Sequence, residues 1–354
     1  MLRIGSVPIG MPAVQAALSG YSDGPMRRIA RRCGAPYAVA EMILDELVSS
    51  PGRKRNRHLA LAPDDHPVGG QIAGSRPENF GPAAREFVAA GFEVVDINFG
   101  CPLNKVLGRC RGGYLLSVPE TALEIIDRVR EAVPPHVPVT VKMRRGLDDT
   151  ELSRERFFAI FDGAFARGVS AITVHGRTVR QKYVGPSDRG FLAEAKRRAG
   201  GRTVLGSGDL HTPQDVADMI AATGVDGVTI ARGSIGNPWI FREAEALLAG
   251  RPLPEPPTVH EQRDVIEEHR RLTVELYGAE RGHALMRKVG IQYTRRHPEA
   301  ERVKAAMIGV RTPRDWDAVM ERWYSDDRPG RPTAAPINST PAEDDCVAGE
   351  ASAG

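Results

Sequence analysis

From about residue 14 to residue 248, short runs of β-branched and other apolar residues alternate with stretches whose apolar positions recur at helical spacing. The runs Val68 to Ile72, Val94 to Asn98, Val137 to Lys142, Ala171 to His175, Thr203 to Leu205 and Gly227 to Ile230 read as buried strands. Helical patterns follow most of them: Pro77 to Ala90, Pro119 to Val133, Leu152 to Arg167 and Pro213 to Ala222. With two earlier strands, near Val14 to Leu18 and Tyr37 to Ala40, the strand count reaches eight. Parallel βα units in that number, with no GxGxxG opening the first, predict an α/β fold of the TIM (β/α)8 barrel type rather than a doubly wound sheet.

The pattern changes at Arg251-Pro-Leu-Pro-Glu-Pro-Pro, which can neither continue a helix nor pair as a strand. Helical periodicity resumes over His260 to Tyr277, Arg281 to Arg296, Glu299 to Met307 and Pro313 to Tyr324. The expected organisation is a barrel over residues 1–250, a proline-rich linker over 251–258, a small α-helical domain over 259–325 and a disordered tail over 326–354. The tail is expected to be disordered because it is rich in Pro, Gly, Ala, Ser and acids, with hardly any large apolar residue.

Charge and cysteine content narrow the picture modestly. The formal charge of +3 does not mark a nucleic-acid binder, because such binding depends on clustered charge. Basic clusters do occur, at Arg53 to Arg57, Lys196 to Arg198, Arg287–Lys288 and Arg295–Arg296. Cys33, Cys101, Cys110 and Cys346 form no CxxC pair, so neither a zinc site nor a disulfide framework is expected. No run of about 18 apolar residues suggests a membrane span, and Met1 to Gly10 lacks the features of a secretory signal, so the expected compartment is the cytoplasm. The sequence does not specify an oligomeric state; a monomer is the default.

The polar residues that end the strands are the candidate chemistry, since catalytic groups of such barrels sit at the carboxyl ends of strands. Gln71, Asn98, Lys142, His175, Ser207 and Arg232 occupy those positions. Cys101 follows a strand directly in Asp96-Ile-Asn-Phe-Gly-Cys-Pro. A thiol there, with an ordinary pKa of about 8.5, can serve as a proton donor. An isolated cysteine is more often a small buried hydrophobe; the flanking Asn98, Gly100 and Pro102 argue for chemistry. Cys110, in Gly108-Arg-Cys-Arg-Gly-Gly, is the rival donor. The glycine-containing loops Gly206-Ser-Gly-Asp209 and Ala231-Arg-Gly-Ser234 follow the last two strands, where barrels commonly bind phosphate.

Nine segments in order make the chain resemble the tRNA-dihydrouridine synthases, specifically the bacterial B-type group, from about Leu2 to Trp323. They are Gly20-Tyr-Ser-Asp-Gly-Pro-Met-Arg, Ala40-Glu-Met, Gln71-Ile-Ala-Gly-Ser, Asp96-Ile-Asn-Phe-Gly-Cys-Pro, Val139-Thr-Val-Lys-Met-Arg, Thr173-Val-His-Gly-Arg-Thr, Gly206-Ser-Gly-Asp, Ala231-Arg-Gly-Ser-Ile-Gly-Asn-Pro-Trp and Met286-Arg-Lys. The resemblance implies FMN as cofactor, a nicotinamide (NADPH or NADH) as its reductant, tRNA as substrate and Cys101 as the proton donor to C5 of uracil. It further implies that Ala17, Leu18, Ser19, Gln71, Lys142, His175, Ser207, Gly208, Asp209, Ala231 and Arg232 hold the cofactor, and that Asn98 and Arg177 meet the uracil. Hydride addition at C6 leaves charge that a proton at C5 must quench, which explains the need for an acid facing the base.

The chain departs from the family where Ala16-Ala-Leu-Ser-Gly replaces Ala-Pro-Met-Ala-Gly, and at Ser207, Ala231 and Val289, where Asn, Gly and His are usual. Two other functions stay open at this level. One is an FMN barrel reducing a small pyrimidine-like substrate, against which the helical extension argues. The other is a flavin-free RNA-binding relative, against which the joint presence of Cys101, Lys142, His175 and Arg177 argues.

Overall fold

The computed structural model describes residues 1–334; Cys346 and most of the expected tail lie outside them. A hairpin of β1 (Leu2–Ile4) and β2 (Val7–Gly10) precedes nine parallel strands. These are β3 (Ala13–Gln15), β4 (Ala38–Val39), β5 (Ile43–Leu44), β6 (Val68–Ala73), β7 (Val94–Phe99), β8 (Val139–Arg144), β9 (Ala171–His175), β10 (Thr203–Ser207) and β11 (Gly227–Ile230). Each pairs with the next around a ring, with β11 on β3, β3 on β4 and β4 on β6, so the sheet closes on itself. Strands β4 and β5 both pair with β6, and therefore share one of the eight staves. The break between them lifts Glu41 and Met42 out of the ladder at the barrel mouth.

Strands β6 to β9 and β11 are buried throughout apart from Lys142, as expected of strands covered on both faces. The period of two sorts their side chains. Val95, Ile97, Phe99, Val139, Val141, Ile172 and Val174 belong to the outer core, with helices Pro77–Ala89, Pro119–Ala132 and Glu151–Ala166. Inward residues stack in layers. Val14, Val94, Ala171 and Leu205 pack on Leu2, Ile4 and Ile9 of the hairpin, which therefore plugs the amino-terminal end of the barrel. Above them lie Gln71, Asp96, Thr140 and Thr173, and nearer the mouth Asn98, Lys142, His175 and Ser207. The interior thus passes from apolar to polar toward one end, and that end holds the chemistry.

The first strand expected over Val14 to Leu18 ends at Gln15, although the Ala16 amide still donates to the Ile230 carbonyl at 2.9 Å. Ala17 to Ser19 leave the ladder as a loop over the mouth. The pattern also did not announce the hairpin or the helices Gly24–Arg32, Arg189–Ala199 and Ile240–Leu248.

Beyond the proline-rich segment, four helices span Val259–Tyr277, Ala279–Tyr293, Ala300–Gly309 and Pro313–Trp323. Thr258 caps the first, and Thr312 with Asp315 forms a capping box on the last, where Pro313 opens the helix. Their core (Ile266, Leu272, Met286, Tyr293, Val303, Met307, Trp316) also takes in Ile29, Cys33 and Trp239 of the barrel. A buried ion pair, Arg296–Glu243 at 2.6 Å, crosses the same joint, with Arg296 also donating to Asn237 at 3.2 Å. The first residues of the stretch expected as tail run along this joint. The Arg328 carbonyl accepts from the Val259 amide at 2.9 Å, and Thr333 donates to Glu243 at 2.5 Å. Removing one partner of a buried pair leaves the other charge uncompensated. Arg296→Met is expected to lower the unfolding free energy by about 3–5 kcal/mol, read from the shift of the urea midpoint at unchanged slope.

Candidate active site

The strand ends and the loops that follow them enclose a cleft of about 920 Å³ at the carboxyl end of the barrel. It is lined by Ala17, Leu18, Ser19, Gln71, Asn98, Cys101, Lys142, His175, Ser207, Gly208, Asp209, Ala231 and Arg232. Of the residues that the resemblance assigns to the cofactor, the uracil or proton donation, Arg177 alone does not line it, and the rival donor Cys110 does not line it either. Met42, Leu103, Arg144, Tyr183, His211 and Thr229 join the lining, and sequence reasoning named none of them for a role.

Cys101 is held from both sides. Its amide donates to Asn98 Oδ1 at 2.6 Å, and the preceding Gly100 amide donates to the same oxygen at 2.9 Å. Behind it, the Gly113 amide donates to the Cys101 carbonyl at 3.0 Å. Gly112 has φ +58°, and a Cβ there would stand 3.0 Å from that of Cys101, so this backing segment needs its glycines. Cys101 is partly exposed and lines the cleft, Cys110 is exposed on the loop nearby, and Cys33 is buried with its thiol pushed up to about 12 by desolvation.

The cleft is cationic. Lys142 lies at the mouth end of β8, beside Asn98 in register. Burial lowers its ammonium to about 8, helped by the Arg144 charge and opposed by Asp96 and Cys101. Arg144, two residues on and hence on the same face, donates from Nε to the Gly100 carbonyl at 2.9 Å and from Nη1 to those of Thr178 at 2.9 Å and Lys182 at 2.6 Å. Burial lowers its guanidinium to about 10, which still leaves it charged at neutral pH. His175 is pushed well below the ordinary imidazole range by burial and by the surrounding Arg144, Lys142, Arg177 and Arg232 charges, so its ring is neutral at pH 7.

Arg177 is buried and points along the rim. It donates from Nη2 to both carboxylate oxygens of Asp209 at 2.7 Å and from Nε to the Gly185 carbonyl at 2.8 Å. Asp209 is the one acidic group among the cleft-lining residues. Although burial works to raise its carboxyl, bonds from Arg177 and the Ser187 amide hold it below the usual range. This clamp fixes the loop after β10, in which Gly208 has φ +115° and Asp209 φ +54°. A Cβ on Gly233 would stand 2.1 Å from the Leu210 carbonyl oxygen, so the loops after β10 and β11 can only meet over a glycine. Arg232 extends from there over the Tyr183 ring, 4.7 Å from its centroid.

A second and larger cleft, about 1490 Å³, opens between the mouth loops and the helices Val259–Tyr277 and Ala279–Tyr293. Both clefts are lined by Ser19, Met42 and Leu103, so the two adjoin. Its walls carry Lys54, Arg57, Arg109, Arg111, Arg281 and Lys288 with the aromatic rings of Tyr21 and Tyr277. Lys288 lies 3.8 Å from the Tyr21 ring centroid, while Arg57 and Arg281 flank that of Tyr277 at 4.9 and 5.3 Å. Glu41 and Asp23 also face this cleft; Glu41 accepts from the Gly20 amide, and burial raises its carboxyl to about 7.

The dihydrouridine synthase family model matches residues 14–324, which span the barrel, the mouth loops and all four carboxyl-terminal helices. The chain belongs to the dihydrouridine synthase family. Among its relatives are tRNA-dihydrouridine synthase B of Xanthomonas axonopodis pv. citri, 33% identical over 92% of this chain and 96% of the relative, and that of Pseudomonas aeruginosa, 34% identical over 81% and 85%. A probable tRNA-dihydrouridine synthase of Mycobacterium tuberculosis is 31% identical over 91% of the chain and 84% of the relative. These matches place the chain with the bacterial B-type group. Among solved structures, morphinone reductase superposes with a TM-score of 0.53 at 15% identity, over 72% of this chain and 90% of that one. Histamine dehydrogenase from a Rhizobium species gives 0.55 at 17%, over 71% of this chain but only 47% of its own length. At such identities the likeness concerns the barrel fold alone. Among the described residues no helix is long and apolar enough to cross a membrane, and no cluster of three or more His, Cys, Asp or Glu side chains could hold a metal ion.

Proposed function

We propose that this protein reduces uridine to 5,6-dihydrouridine in tRNA, with FMN as cofactor, a nicotinamide as the source of electrons and Cys101 as the proton donor, and that it works as a cytoplasmic enzyme. The observation that carries the reading is a thiol seated in a cationic cleft that adjoins a basic groove, in a chain of this family. FMN, when bound, supplies the hydride that adds to the pyrimidine. The donor set fits it: Lys142, Arg144 and Arg232 are positive, His175 is neutral, and the single acidic group of the lining is neutralised by Arg177. A phosphate and a ring that gains negative charge on reduction both favour such a site.

The roles then divide by position. Ala17, Leu18 and Ser19 supply backbone and one apolar side chain beside the cofactor, and Gln71, Lys142 and His175 its polar contacts. Ser207, Gly208, Asp209, Ala231 and Arg232 form the phosphate end, where close-approaching glycine backbone and the Arg232 charge meet. Asn98 faces the base. Arg177 acts through Asp209, holding the phosphate-side loop, while the Arg144 guanidinium is the one that lines the cleft near Cys101.

The larger cleft supports tRNA as the substrate in preference to a small pyrimidine, because a free base needs no basic wall beyond the mouth. The target nucleotide must leave its stack, at a cost of a few kcal/mol, and phosphate contacts with Lys54, Arg57, Arg281 and Lys288 would offset that cost. About four such contacts imply a slope of roughly −3 to −4 in log affinity against log salt. Fluorescence titration with tRNA between 50 and 200 mM salt is expected to show a loss of about 10² in affinity. Mass-spectrometric mapping of dihydrouridine in tRNA from cells lacking and regaining the protein tests the function: at least one position should lose and recover the modification.

A further inference from the structure

The amide that seats Cys101 is the last member of a hydrogen-bond chain that begins inside the barrel. Strands β6, β7 and β8 place Gln71 opposite Asp96 and Asp96 opposite Thr140, while Asn98 lies one inward position above Asp96. Asn98 Nδ2 donates to Gln71 Oε1 at 2.7 Å, Gln71 Nε2 donates to Asp96 Oδ2 at 2.6 Å, and Thr140 Oγ1 donates to Asp96 Oδ1 at 2.5 Å. All four side chains are more than nine-tenths buried.

Its direction is not free. The Gly100 and Cys101 amides can only donate, which makes the Asn98 oxygen the acceptor and turns its NH2 toward Gln71. Gln71 must then present its oxygen to Asn98 and its NH2 to position 96. The group at 96 therefore has to accept, and an ionised carboxylate is the side chain that can do nothing else.

We propose that Asp96 is a positioning residue: its carboxylate is the terminal acceptor that fixes the direction of the Gln71–Asn98 amide chain and, through it, the seat of Cys101. The catalytic meaning of that seat rests on the function proposed above, but the seat itself is independent of it. Burial raises the Asp96 carboxyl, while the bonds from Thr140 and Gln71 and the Lys142 charge favour its ionised form.

The test uses the full-length protein and no tRNA or nicotinamide, so its outcome is separate from whether Cys101 donates a proton. Alkylation by iodoacetamide is followed by mass spectrometry at Cys101, with the exposed Cys110 as internal reference, across pH 6–9. Asp96→Leu leaves the Gln71 NH2 with no acceptor. Its Cys101/Cys110 rate ratio is expected to change at least tenfold, because the amide chain opens.

Asp96→Asn can still offer its oxygen to Gln71 and its NH2 to Thr140, so its ratio and pH profile are expected within about threefold of the original. Adding Gln71→Glu to Asp96→Leu gives Asn98 an acceptor that needs none of its own at 96, and should return the ratio to within threefold. If Asp96→Leu does not fold, this double variant is expected to fold and to carry the restored ratio. An unchanged ratio in folded Asp96→Leu, a tenfold change in Asp96→Asn, or no restoration in the double variant would overturn the proposal.

Discussion

Cys101→Ala is expected to retain FMN and its reduction by nicotinamide at near-normal rates but to lose dihydrouridine formation by about 10²–10⁴-fold, the usual weight of a positioned acid. Hydride addition leaves negative charge conjugated to the C4 carbonyl of uracil, and the proton that quenches it at C5 has to come from a group facing the base. Cys101 lines the cleft with its backbone gripped by Asn98 ahead and Gly113 behind, whereas Cys110 is exposed on the loop beyond. Stopped-flow absorbance separates the two half-reactions: flavin bleaching by nicotinamide should be unchanged and reoxidation by tRNA slow. Normal reoxidation in Cys101→Ala, lost on changing Cys110, would move the role to Cys110.

Lys142→Met is expected to slow reduction of the bound flavin by about 10²–10³-fold, the scale of a lost preorganised electrostatic partner in an excluded site. In the proposed function the Lys142 ammonium would offset the charge that the cofactor gains, and methionine keeps the stem while removing the positive charge. The pH dependence supplies a second signature. Because burial favours the neutral amine, Lys142 is charged below about pH 8 and loses its proton above it, so flavin reduction should decline above about pH 8 in the original protein. That limb should be missing in Lys142→Met. Stability moves the other way. The unfolded chain holds this proton up to a pKa of about 10.4, so between about 8 and that value it binds more protons than the folded one, and the Lys142 contribution to stability rises with pH. A reduction rate that is flat from pH 7 to 9.5 would contradict the assignment.

How far the sequence carried the fold depended on how regular each segment was. Ala171–His175 is a mostly apolar, β-branched run ending in a polar residue, and Val94–Phe99 is apolar except for Asp96 and Asn98 on its inward face; both strands appear where their pattern places them. Half of the stave made of β4 and β5 is visible: β4 lies inside the strand expected near Tyr37 to Ala40, whereas β5 does not show, because a dipeptide after Ala40-Glu-Met carries no period. The hairpin over Leu2–Gly10 escaped for the same reason: each arm is three or four residues long and derives its place from the barrel end it plugs.

Strand alternation makes the strand-end side chains of the cleft readable, while the loop residues Cys101, Asp209 and Arg232 were reached through their motifs. Arg144 was missed although it ends a strand. It lies two residues after Lys142 in Val139-Thr-Val-Lys-Met-Arg, so strand alternation alone puts the pair on one face, and that signal was present. Arg177 stands two residues past the end of β9, where alternation no longer applies, and its direction is set by Asp209 and the Gly185 carbonyl, partners no local pattern can reveal. Tyr183 reaches the cleft from the loop after β9, beyond any strand register.

The most direct measurement of the account is reoxidation of the FMN-loaded, nicotinamide-reduced protein by unmodified tRNA under anaerobic conditions, followed at the flavin absorbance band and by mass spectrometry of the RNA. The expected result is recovery of oxidised flavin with one dihydrouridine formed per flavin, and no comparable recovery with free uridine or uracil. Reduced flavin that persists in the presence of tRNA, or that free uracil reoxidises equally well, would contradict it.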